Sequence, residues 1–424
     1  MNKPKIWLMN HYASNMFRDK AGRHYWFAQK LIRQGYDVTV FCSTTLVSGE
    51  ELIDTGKEKY VSEQADQVPF VFVRTVPAQG NGIKRIRNMV LFYRRLFSTA
   101  RAYAKANGKP DVILASSVHP LTMVAGIRIA RKFGVPCICE IRDLWPEAIF
   151  SFGKASPKSL IGRLMIKGEH WIYKRADALI FTKEGDTDYL KEQGWTTEQG
   201  GDIDLKKCHY INNGVDLAAY ARHIDADRFD DPDVCDETTF KVTYCGTLRP
   251  VNNVGNLLDA AAILKKETGY ENVRFLIFGD GGQLPALEKR VRDEALDCVK
   301  IKDFVERKYV PFLLSRSDLN ILNYSQSRYN WTRGNSSNKL FEYMASGKPV
   351  LSTVRMGYSL IQRYGCGAEL AEDTPEALAE EIKRFYRMTP EERERIGKNA
   401  EIGVKEFDFD ILTEKLIRVI ESVV

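Results

Sequence analysis

Apolar and polar positions follow two alternating patterns along the chain: short apolar runs, and longer segments with apolar residues at helical spacing. In the first half the pattern predicts strands at 6–9, 36–41, 69–76, 111–116, 135–141 and 178–182, with helices at 22–34 and 121–133. Apolar strands that alternate with helices are typical of a parallel sheet covered on both faces. The first half therefore predicts an α/β domain.

The same pattern starts again after residue 215. It predicts strands at 240–245, 273–278, 319–322 and 349–352, with helices at 254–265, 340–346 and 411–423. A turn-rich stretch at 211–216 separates the halves, so we expect domains at 1–213 and 214–404. The polar segment 225–239 is predicted to be a surface excursion. Two open sheets of this kind bind ligands at the carboxyl ends of their strands and form a cleft where they face each other.

Composition and charge exclude several classes of protein. The 424 residues include 62 Lys or Arg and 56 Asp or Glu, and the resulting net charge of +6 is too small to indicate nucleic acid as a partner. The eight cysteines contain no C-x-x-C, so no zinc or iron–sulfur site is expected. Reduced cysteines, no long apolar run and a short apolar N-terminus indicate a cytoplasmic protein.

The sharpest chemical signal is a polar loop that opens the helix predicted at 340–346. Ser336, Ser337 and Asn338 precede Lys339, and Glu342 follows one turn later. A helix N-terminus offers free N–H groups to a diphosphate, and Lys339 adds a full positive charge. Glu342 can accept hydrogen bonds from a ribose. The alternative is a capped surface helix with Glu342 paired to a lysine.

Glycines follow three of the predicted strands. Gly246 and Thr247 end one strand, with Arg249 close behind, where a phosphate can approach the backbone and an arginine can bind it bidentately. Gly279 ends the next strand, and Gly22 follows the first strand of the chain. Each of these is also compatible with an ordinary turn.

The first half has two candidate strand ends. His119 follows the strand at 111–116 and is predicted to contact a sugar hydroxyl or a phosphate, unless it is a surface loop histidine. The segment 141–147 carries Arg142, Asp143, Trp145 and Glu147. Asp143 would meet an acceptor hydroxyl and Trp145 would stack on a sugar ring. The alternative is an ion-pair cluster, Arg142 with Glu140 or Asp143, that supports the loop.

The stretch 67–110 contains nine Lys or Arg residues and no Asp or Glu. Apolar residues such as Ile83, Ile86 and Val90 interleave with them at helical spacing. This predicts a basic amphipathic helix, which suits an anionic membrane surface. A solvated basic face is the alternative, and nucleic acid is not favoured because no recognised binding motif accompanies the charge.

Three motifs together resemble the family-4 (GT4) retaining glycosyltransferases: IRDLWPE at 141–147, NGVD at 213–216 and NKLFEYMASGKPV at 338–350. Within that family the chain resembles bacterial O-antigen and capsule fucosamine-type transferases. The resemblance implies the GT-B fold of two facing Rossmann-like domains, with the C-terminal helix, 405–424, crossing back to the first domain. It also implies a nucleotide-sugar donor, expected to be a UDP-sugar, on the second domain and an acceptor on the first.

The resemblance further implies retention at the anomeric carbon and no metal or other cofactor. The acceptor is expected to be a polyprenyl-diphosphate-linked saccharide of surface polysaccharide biosynthesis, reached from the inner face of the cytoplasmic membrane. The site residues expected are catalytic Asp143, His119 and Lys339; donor-binding Gly22, Gly246, Thr247, Arg249, Gly279, Ser336, Ser337, Asn338, Lys339, Leu340 and Glu342; and acceptor-binding Arg142, Trp145 and Glu147.

The chain departs from the family pattern at four places. A family glutamate eight residues before the ribose carboxylate is Gly334 here, and a family arginine and lysine are Thr247 and Asn253. The family histidine of the first domain falls at Ser116 or Ser117, or at His119. Two other functions therefore stay open: a nucleotide-sugar 2-epimerase of the same architecture, and a non-catalytic partner that recruits a transferase to the membrane.

Overall fold

The computed structural model describes residues 3–78, 80, 82–117, 119–151, 153 and 156–424. Contacts divide the chain into two units, one of Met1–Asn212 with Phe409–Val424 and the other of Asn213–Asp408. The sequence pattern predicted that the second domain begins after residue 213. The resemblance implied that this domain ends at residue 404, where the chain returns to the first domain. Each unit is an α/β layer structure with its own sheet.

The first unit contains an eight-stranded sheet with the order β3-β4-β2-β1-β5-β6-β7-β8. Its strands are β1 (Lys5–Met9), β2 (Asp37–Ser43), β3 (Tyr60–Ala65), β4 (Val68–Val73), β5 (Val112–Ser116), β6 (Cys137–Ile141), β7 (Ala178–Phe181) and β8 (Cys208–Tyr210). Its helices up to the linker are α1 (Ala13–Asp19), α2 (Arg23–Arg33), α3 (Ile83–Asn107), α4 (Pro120–Phe133), α5 (Trp145–Ser151), α6 (Leu160–Arg175) and α7 (Asp186–Glu192).

The second unit contains a six-stranded parallel sheet with the order β11-β10-β9-β12-β13-β14. Its strands are β9 (Phe240–Cys245), β10 (Val273–Phe278), β11 (Val299–Lys302), β12 (Leu319–Leu322), β13 (Val350–Ser352) and β14 (Gly367–Glu369). Its helices are α8 (Leu217–Ala226), α9 (Pro232–Cys235), α10 (Gly255–Lys265), α11 (Leu284–Asp293), α12 (Val310–Ser315), α13 (Asn338–Ala345), α14 (Leu360–Tyr364), α15 (Pro375–Arg387) and α16 (Pro390–Val404).

The last helix, α17 (Phe409–Glu421), packs in the first unit. Its apolar stripe joins the core beneath α2, where the rings of Phe27 and Phe409 lie 5.3 Å apart. Lys30 Nζ also lies 2.7 Å from the carboxylate of Asp410. The C-terminal helix therefore returns to the first unit, as the resemblance implied, and its apolar stripe covers one face of the first sheet.

Both faces of the first sheet are buried, as its apolar strands require. Successive residues of β1 serve opposite cores: Trp7 packs with Phe41 in the core under α3 and α4, whereas Leu8 packs in the core under α2 and α17. The helices that follow β strands begin near the carboxyl ends of those strands. This arrangement collects the chain's strand-end loops at one edge of each sheet.

One expectation about the first unit was wrong. The sheet of the first unit includes the strand β3, which pairs antiparallel with β4 because the two-residue connection between them permits only a hairpin. The segment 225–239 lies at the surface, as predicted, and is anchored there: Val234 of α9 is buried against Leu276 and Phe278, and Lys302 pairs with Asp231 at 2.9 Å.

Candidate functional site

The loops that follow β9 and β10 are bonded side by side. Gly246 N donates to the carbonyl of Phe278, and Leu248 N donates to that of Asp280, both at 2.9 Å. A Cβ on Gly279 would overlap the carbonyl oxygen of Gly246, and φ is +146° at Gly279. Only glycine permits this approach, so the strand-end glycines hold two backbones together at the edge of the sheet.

A cavity of about 400 Å³ opens beside these loops. It is lined by Cys245, Gly246, Thr247, Arg249, Phe278, Gly279, Asp280, Gly281, Phe304 and Val305. Thr247 and Arg249 are exposed. The Arg249 guanidinium forms no hydrogen bond and no ion pair with any of the described residues. Four residues predicted to bind the donor (Gly246, Thr247, Arg249 and Gly279) thus meet at one cavity.

Lys339 lies directly beside this cavity. A Cβ on Gly246 would stand 2.9 Å from Cδ and 3.2 Å from Nζ of Lys339. The ammonium donates to the hydroxyl of Tyr244 at 3.3 Å and lies over the rings of Tyr244 and Tyr324, 4.9 and 4.6 Å from their centroids. Burial opposes the charge, but the two tyrosines outweigh it, and the pKa of Lys339 is raised above its ordinary value.

No carboxylate among the described residues pairs with Lys339. Its positive charge is held by aromatic faces and hydroxyl oxygens, which stabilise a cation without neutralising it. The position is therefore suited to an anionic ligand in the neighbouring cavity.

The loop in front of α13 is held by side chains of the second unit. Asn335 Oδ1 accepts from Ser337 N at 2.6 Å, and the Tyr324 hydroxyl donates to Ser337 Oγ at 2.7 Å. Asn213 donates to the carbonyl of Ser336 at 2.6 Å. Ser336 and Ser337 are half-buried and Asn338 is exposed, so this loop is fixed while its polar groups stay accessible.

Leu340 has a different environment from its neighbours. Its side chain is fully buried, and its backbone N–H donates to the carbonyl of Ser337 at 3.2 Å. Packing accounts for the apolar side chain at this position of α13, and the contact between Leu340 and the donor stays a prediction.

Glu342 lies one turn into α13 and is paired with Arg307 at 2.9 Å. The carboxylate is 18 % exposed and the guanidinium 47 % exposed. Arg307 follows Phe304 and Val305, which line the cavity. Glu342 is thus placed near the cavity with one pairing partner, an arginine rather than the lysine considered from the sequence.

At the strand ends of the first unit, three buried charged or titratable side chains meet. Arg23 and His24 of α2 contact opposite carboxylate oxygens of Glu140 at 2.5 and 2.8 Å. Burial alone would raise the pKa of Glu140, but Arg23 and His24 outweigh it and hold the pKa well below its ordinary value. Arg23 also donates to the carbonyls of Ile211 and Asn212, at 2.9 and 2.6 Å.

His119 is buried rather than on a surface loop. Its Nε2 lies 2.6 Å from Nδ1 of His11, so one ring donates to the other. Burial, helped by the charge of Arg85, lowers the pKa of His119 to about 3, so the ring is neutral at pH 7. Ser117 Oγ accepts from Arg142 N at 2.9 Å, and Ser116 is buried. Gly22, with φ at +106°, precedes α2 at the same edge.

The segment 141–147 lies beside a second cavity, of about 300 Å³. Asp143 and Trp145 line it, whereas Arg142 and Glu147 do not. Asp143 is 55 % exposed and pairs with the buried Lys183 at 3.1 Å. The ion-pair alternative is therefore present in part, but through Lys183 and not through Arg142.

Two family models match the chain. The one described as "Glycosyl transferase 4-like domain" matches residues 23–199 of the first unit, and the one described as "Glycosyl transferases group 1" matches residues 225–402 of the second. The chain belongs to the GT4-like, group 1 glycosyltransferases. It is therefore a glycosyltransferase, and the expected fold and reaction class are confirmed.

The chain is similar over most of its length to a named relative and to solved structures. The "Probable glycosyltransferase WbjE" of Pseudomonas aeruginosa is 22 % identical over 338 residues, which is 77 % of this chain and 78 % of that protein. Among solved structures, sucrose-phosphate synthase of Thermosynechococcus elongatus has a TM-score of 0.71 at 16 % identity and covers 99 % of both chains. Anabaena HepE in complex with UDP-glucose has a TM-score of 0.64 at 17 % identity, covering 99 % of this chain and 100 % of that one.

The place where this glycosyltransferase lacks the first family glutamate has a structural cause. Gly334 has a φ of +99°. A Cβ added to Gly334 would stand 3.4 Å from the carbonyl oxygen of Gly357. Gly334 and Gly357 both donate to the carbonyl of Trp331, at 3.2 and 3.0 Å. A glutamate would be strained in this backbone conformation, so the substitution belongs to the geometry of the loop.

Several site residues of the glycosyltransferase were not singled out from the sequence. Glu140 was considered only as an ion-pair partner of Arg142, although a carboxylate inside the apolar strand β6 requires a buried partner. Tyr244, Tyr324 and Arg307 had none, since they come from strand ends and loops distant in sequence from α13. His11 could have been noticed as a polar residue two positions after the end of β1.

Among the described residues, no helix is long and apolar enough to cross a membrane, and no three His, Cys, Asp or Glu side chains are arranged to hold a metal ion. Metal independence stays a prediction.

Proposed function

We propose that this glycosyltransferase transfers a sugar, with retention, from a UDP-sugar to a polyprenyl-diphosphate-linked saccharide in surface polysaccharide biosynthesis. The second unit would hold the donor and the first would hold the acceptor. The observation that carries the proposal is the cavity of about 400 Å³, with Lys339 beside it and with Arg249, which has no partner among the described residues, at its edge.

A nucleoside diphosphate fits the chemistry of this cavity. Its diphosphate would lie against Arg249, Lys339 and the N-terminus of α13, which together provide two full positive charges and free N–H groups. Its ribose hydroxyls would donate to the carboxylate of Glu342, and its base would lie near Phe304. Anabaena HepE, which shares the fold, binds UDP-glucose.

The same groups would supply the catalysis. Negative charge develops on the β-phosphate as the glycosidic bond breaks, and preorganised cations stabilise it. In a front-face retaining reaction the departing phosphate can take the proton of the acceptor hydroxyl, so no strong protein base is needed. Asp143 would orient the acceptor, and neutral His119 would hydrogen-bond to a sugar hydroxyl.

Calorimetric titration with UDP, GDP and a panel of UDP-sugars, with and without EDTA, tests the donor site. We expect UDP to bind with unchanged affinity in EDTA. Glu342→Gln should weaken UDP binding at least fivefold, because one ribose hydrogen bond is lost, whereas Glu401→Gln, an exposed pair in the same unit, should have no effect. Binding of UDP at parent affinity by the Glu342 variant would contradict the ribose assignment.

The membrane part of the proposal rests on α3. Ile83, Ile86 and Val90 are exposed at its N-terminal end, with exposed Lys84 and Arg87 between them, while its opposite face is buried. Each cation near an anionic surface contributes about 1 kcal/mol, which gives reversible peripheral binding.

Liposome flotation measures this binding. We expect recovery on vesicles with phosphatidylglycerol and little on neutral vesicles. Ile86→Glu should reduce the recovery several-fold, whereas Ile402→Glu, at an exposed isoleucine of the second unit, should leave it unchanged. Equal recovery on neutral vesicles would remove the electrostatic argument.

A further inference from the structure

Two buried histidines meet at the strand ends of the first unit. His11 follows β1 and His119 stands directly before α4, and both side chains are almost fully buried. His11 Nδ1 and His119 Nε2 share one hydrogen bond, at 2.6 Å. Because a neutral imidazole has one N–H and one bare nitrogen, this bond can form in two ways, which leave different groups at the other nitrogen of His119.

Both histidine rings are neutral at pH 7. Burial lowers the pKa of His11 well below its ordinary value, and it lowers the pKa of His119 to about 3. The N-terminus of α4, directly after His119, also disfavours a positive charge on this ring. Each ring therefore carries one proton, and fixing the tautomer of one ring fixes the tautomer of the other.

The buried side chain of Asn88, in α3, has a fixed orientation. Its Nδ2 donates to the carbonyl of Val76 at 2.5 Å and to Thr45 Oγ1 at 3.1 Å. Because a carbonyl oxygen can only accept, the amide cannot be turned round, and these two bonds use both of its N–H groups. Only the acceptor Oδ1 remains, and it has no partner in either of these bonds.

Asn88 decides the tautomer of His11. The Asn88 side chain acts as a hydrogen-bond partner that raises the pKa of His11 against the effect of burial, and Nδ1 of His11 is already engaged with His119. An acceptor beside Nε2 requires the proton of His11 on Nε2, so Nδ1 is bare and accepts from His119 Nε2–H. The opposite arrangement would set two buried lone pairs, those of His11 Nε2 and Asn88 Oδ1, against each other.

Aromatic rings fix the plane of His11. The ring of Tyr12 stacks on it with centroids 4.3 Å apart, and the ring of Phe92 stacks on it at 4.4 Å. His11 thus presents its bare nitrogen to His119 in one orientation.

We infer that Asn88 and His11 are positioning residues that hold His119 with its proton on Nε2, so that its bare Nδ1 accepts a hydrogen bond from a sugar hydroxyl of the substrate. His119 Nδ1 is buried and no group of the described residues donates to it, so the ligand supplies the donor. A diphosphate oxygen only accepts and is repelled by a bare nitrogen, which removes the phosphate contact considered for His119. This inference rests on the proposed function and specifies the group of the substrate that His119 recognises.

Nitrogen NMR of the histidine rings, on the full chain, shows which nitrogen of each ring carries the proton. His119→Ala identifies the signals of His119. We expect the parent to carry the proton of His119 on Nε2, and a proton on Nδ1 would overturn the inference. His11→Phe keeps an aromatic ring between Tyr12 and Phe92 but removes the acceptor, and it should populate both tautomers of His119. His11→Asn, whose side-chain oxygen can replace Nδ1, should preserve the parent tautomer.

Initial rates of sugar transfer give a second readout, with the UDP-sugar selected by titration and an extract of bacterial membrane lipids as the acceptor. His11→Phe should lower the rate about fivefold because His119 is no longer held in its accepting form, and His11→Asn should stay within about twofold of the parent. In a His119→Ala background, His11→Phe should change the rate less than about twofold. An equal loss in both backgrounds would mean that His11 only supports the fold, and it would overturn the inference.

Calorimetry of the same proteins with UDP and with the selected UDP-sugar identifies which sugar carries the hydroxyl. If it belongs to the donor, His11→Phe weakens binding of the UDP-sugar and leaves that of UDP unchanged. If it belongs to the acceptor, both affinities are unchanged and only the rate falls. Weaker UDP binding in this variant would place His119 at the diphosphate and refute this inference alone, whereas a parent that binds no UDP would refute the proposed function.

Discussion

The strand ends of the two units handle charge in opposite ways. In the first unit Arg23 is buried and committed to Glu140 and to backbone carbonyls. In the second unit Arg249 has no partner among the described residues, and Lys339 is held by two tyrosines without a carboxylate. Paired charges such as those of the first unit stabilise the fold. Cations that have no carboxylate partner, such as those of the second unit, indicate a site for an anionic ligand. The contrast supports the proposal that the diphosphate of the donor binds to the second unit.

The largest expected effect comes from breaking the committed cluster. Glu140→Gln leaves Arg23 buried without its counter-charge, which should lower the free energy of unfolding by about 3–5 kcal/mol. Urea denaturation measures it. Glu401→Gln, which removes an exposed pair with Lys398, should cost less than about 1 kcal/mol. Similar losses in the two variants would show that the cluster of the first unit is not structural.

The next effect is a pH dependence in the first unit. Because the pKa of Glu169 is raised from 4.5 to about 7, the folded state binds more protons than the unfolded state between these values. Stability from this group is therefore present below pH 4.5 and falls as the pH rises, by about 3 kcal/mol at pH 8.

Denaturation of the parent and of Glu169→Gln across this range checks that dependence. The stability of the variant relative to the parent should increase by about 3 kcal/mol from pH 4.5 to pH 8. Burial also raises the pKa of Asp186 to about 7, and because Asp186 contributes to the shift of Glu169, the same comparison is repeated in an Asp186→Asn background. A constant difference would contradict the shift.

A smaller energy with a clear readout comes from Lys339. Lys339→Ala should reduce transfer at least tenfold, which corresponds to about 1.4 kcal/mol of transition-state stabilisation, because a cation beside the leaving diphosphate is lost. Initial rates with the donor found by titration measure it. Lys398→Ala removes an exposed cation of the same unit and should keep the parent rate.

The smallest effect is expected at Arg249, which is exposed. Arg249→Ala should weaken UDP binding about fivefold in low salt, and the difference should shrink in 1 M NaCl because an exposed cation is screened. Calorimetry at the two salt concentrations gives the comparison. A difference that is independent of salt would mean that Arg249 acts through packing and not through its charge.

Much of the fold could be predicted from the sequence, because buried parallel strands are continuous apolar runs. The strands predicted at 240–245, 273–278 and 319–322 coincide with β9, β10 and β12. The strand β3 was not predicted, since three of its central residues are exposed and polar and its only support is the hairpin with β4. Local sequence thus predicts an element best where both faces are covered.

The candidate site likewise contains residues that local sequence predicts and residues that it does not. Lys339 and Glu342 were predictable because they share one helix start, and Gly246 because it ends an apolar strand. The partners that give these residues their chemistry were not, since Tyr244 lies 95 residues from Lys339 and Arg307 lies 35 residues from Glu342. Such contacts are created by the sheet order, which no local pattern encodes.

The second unit is an insertion whose two ends meet. Asn213 opens it and Asp408 closes it, and between them Val215 is bridged to Asp408 and donates to the carbonyl of Phe407 at 3.1 Å. A segment that has its own core, and whose two ends are bonded to each other, can be separated from the rest of the chain without unfolding at its ends. We therefore expect the stretch 213–408 to be obtainable as a free-standing recombinant fragment.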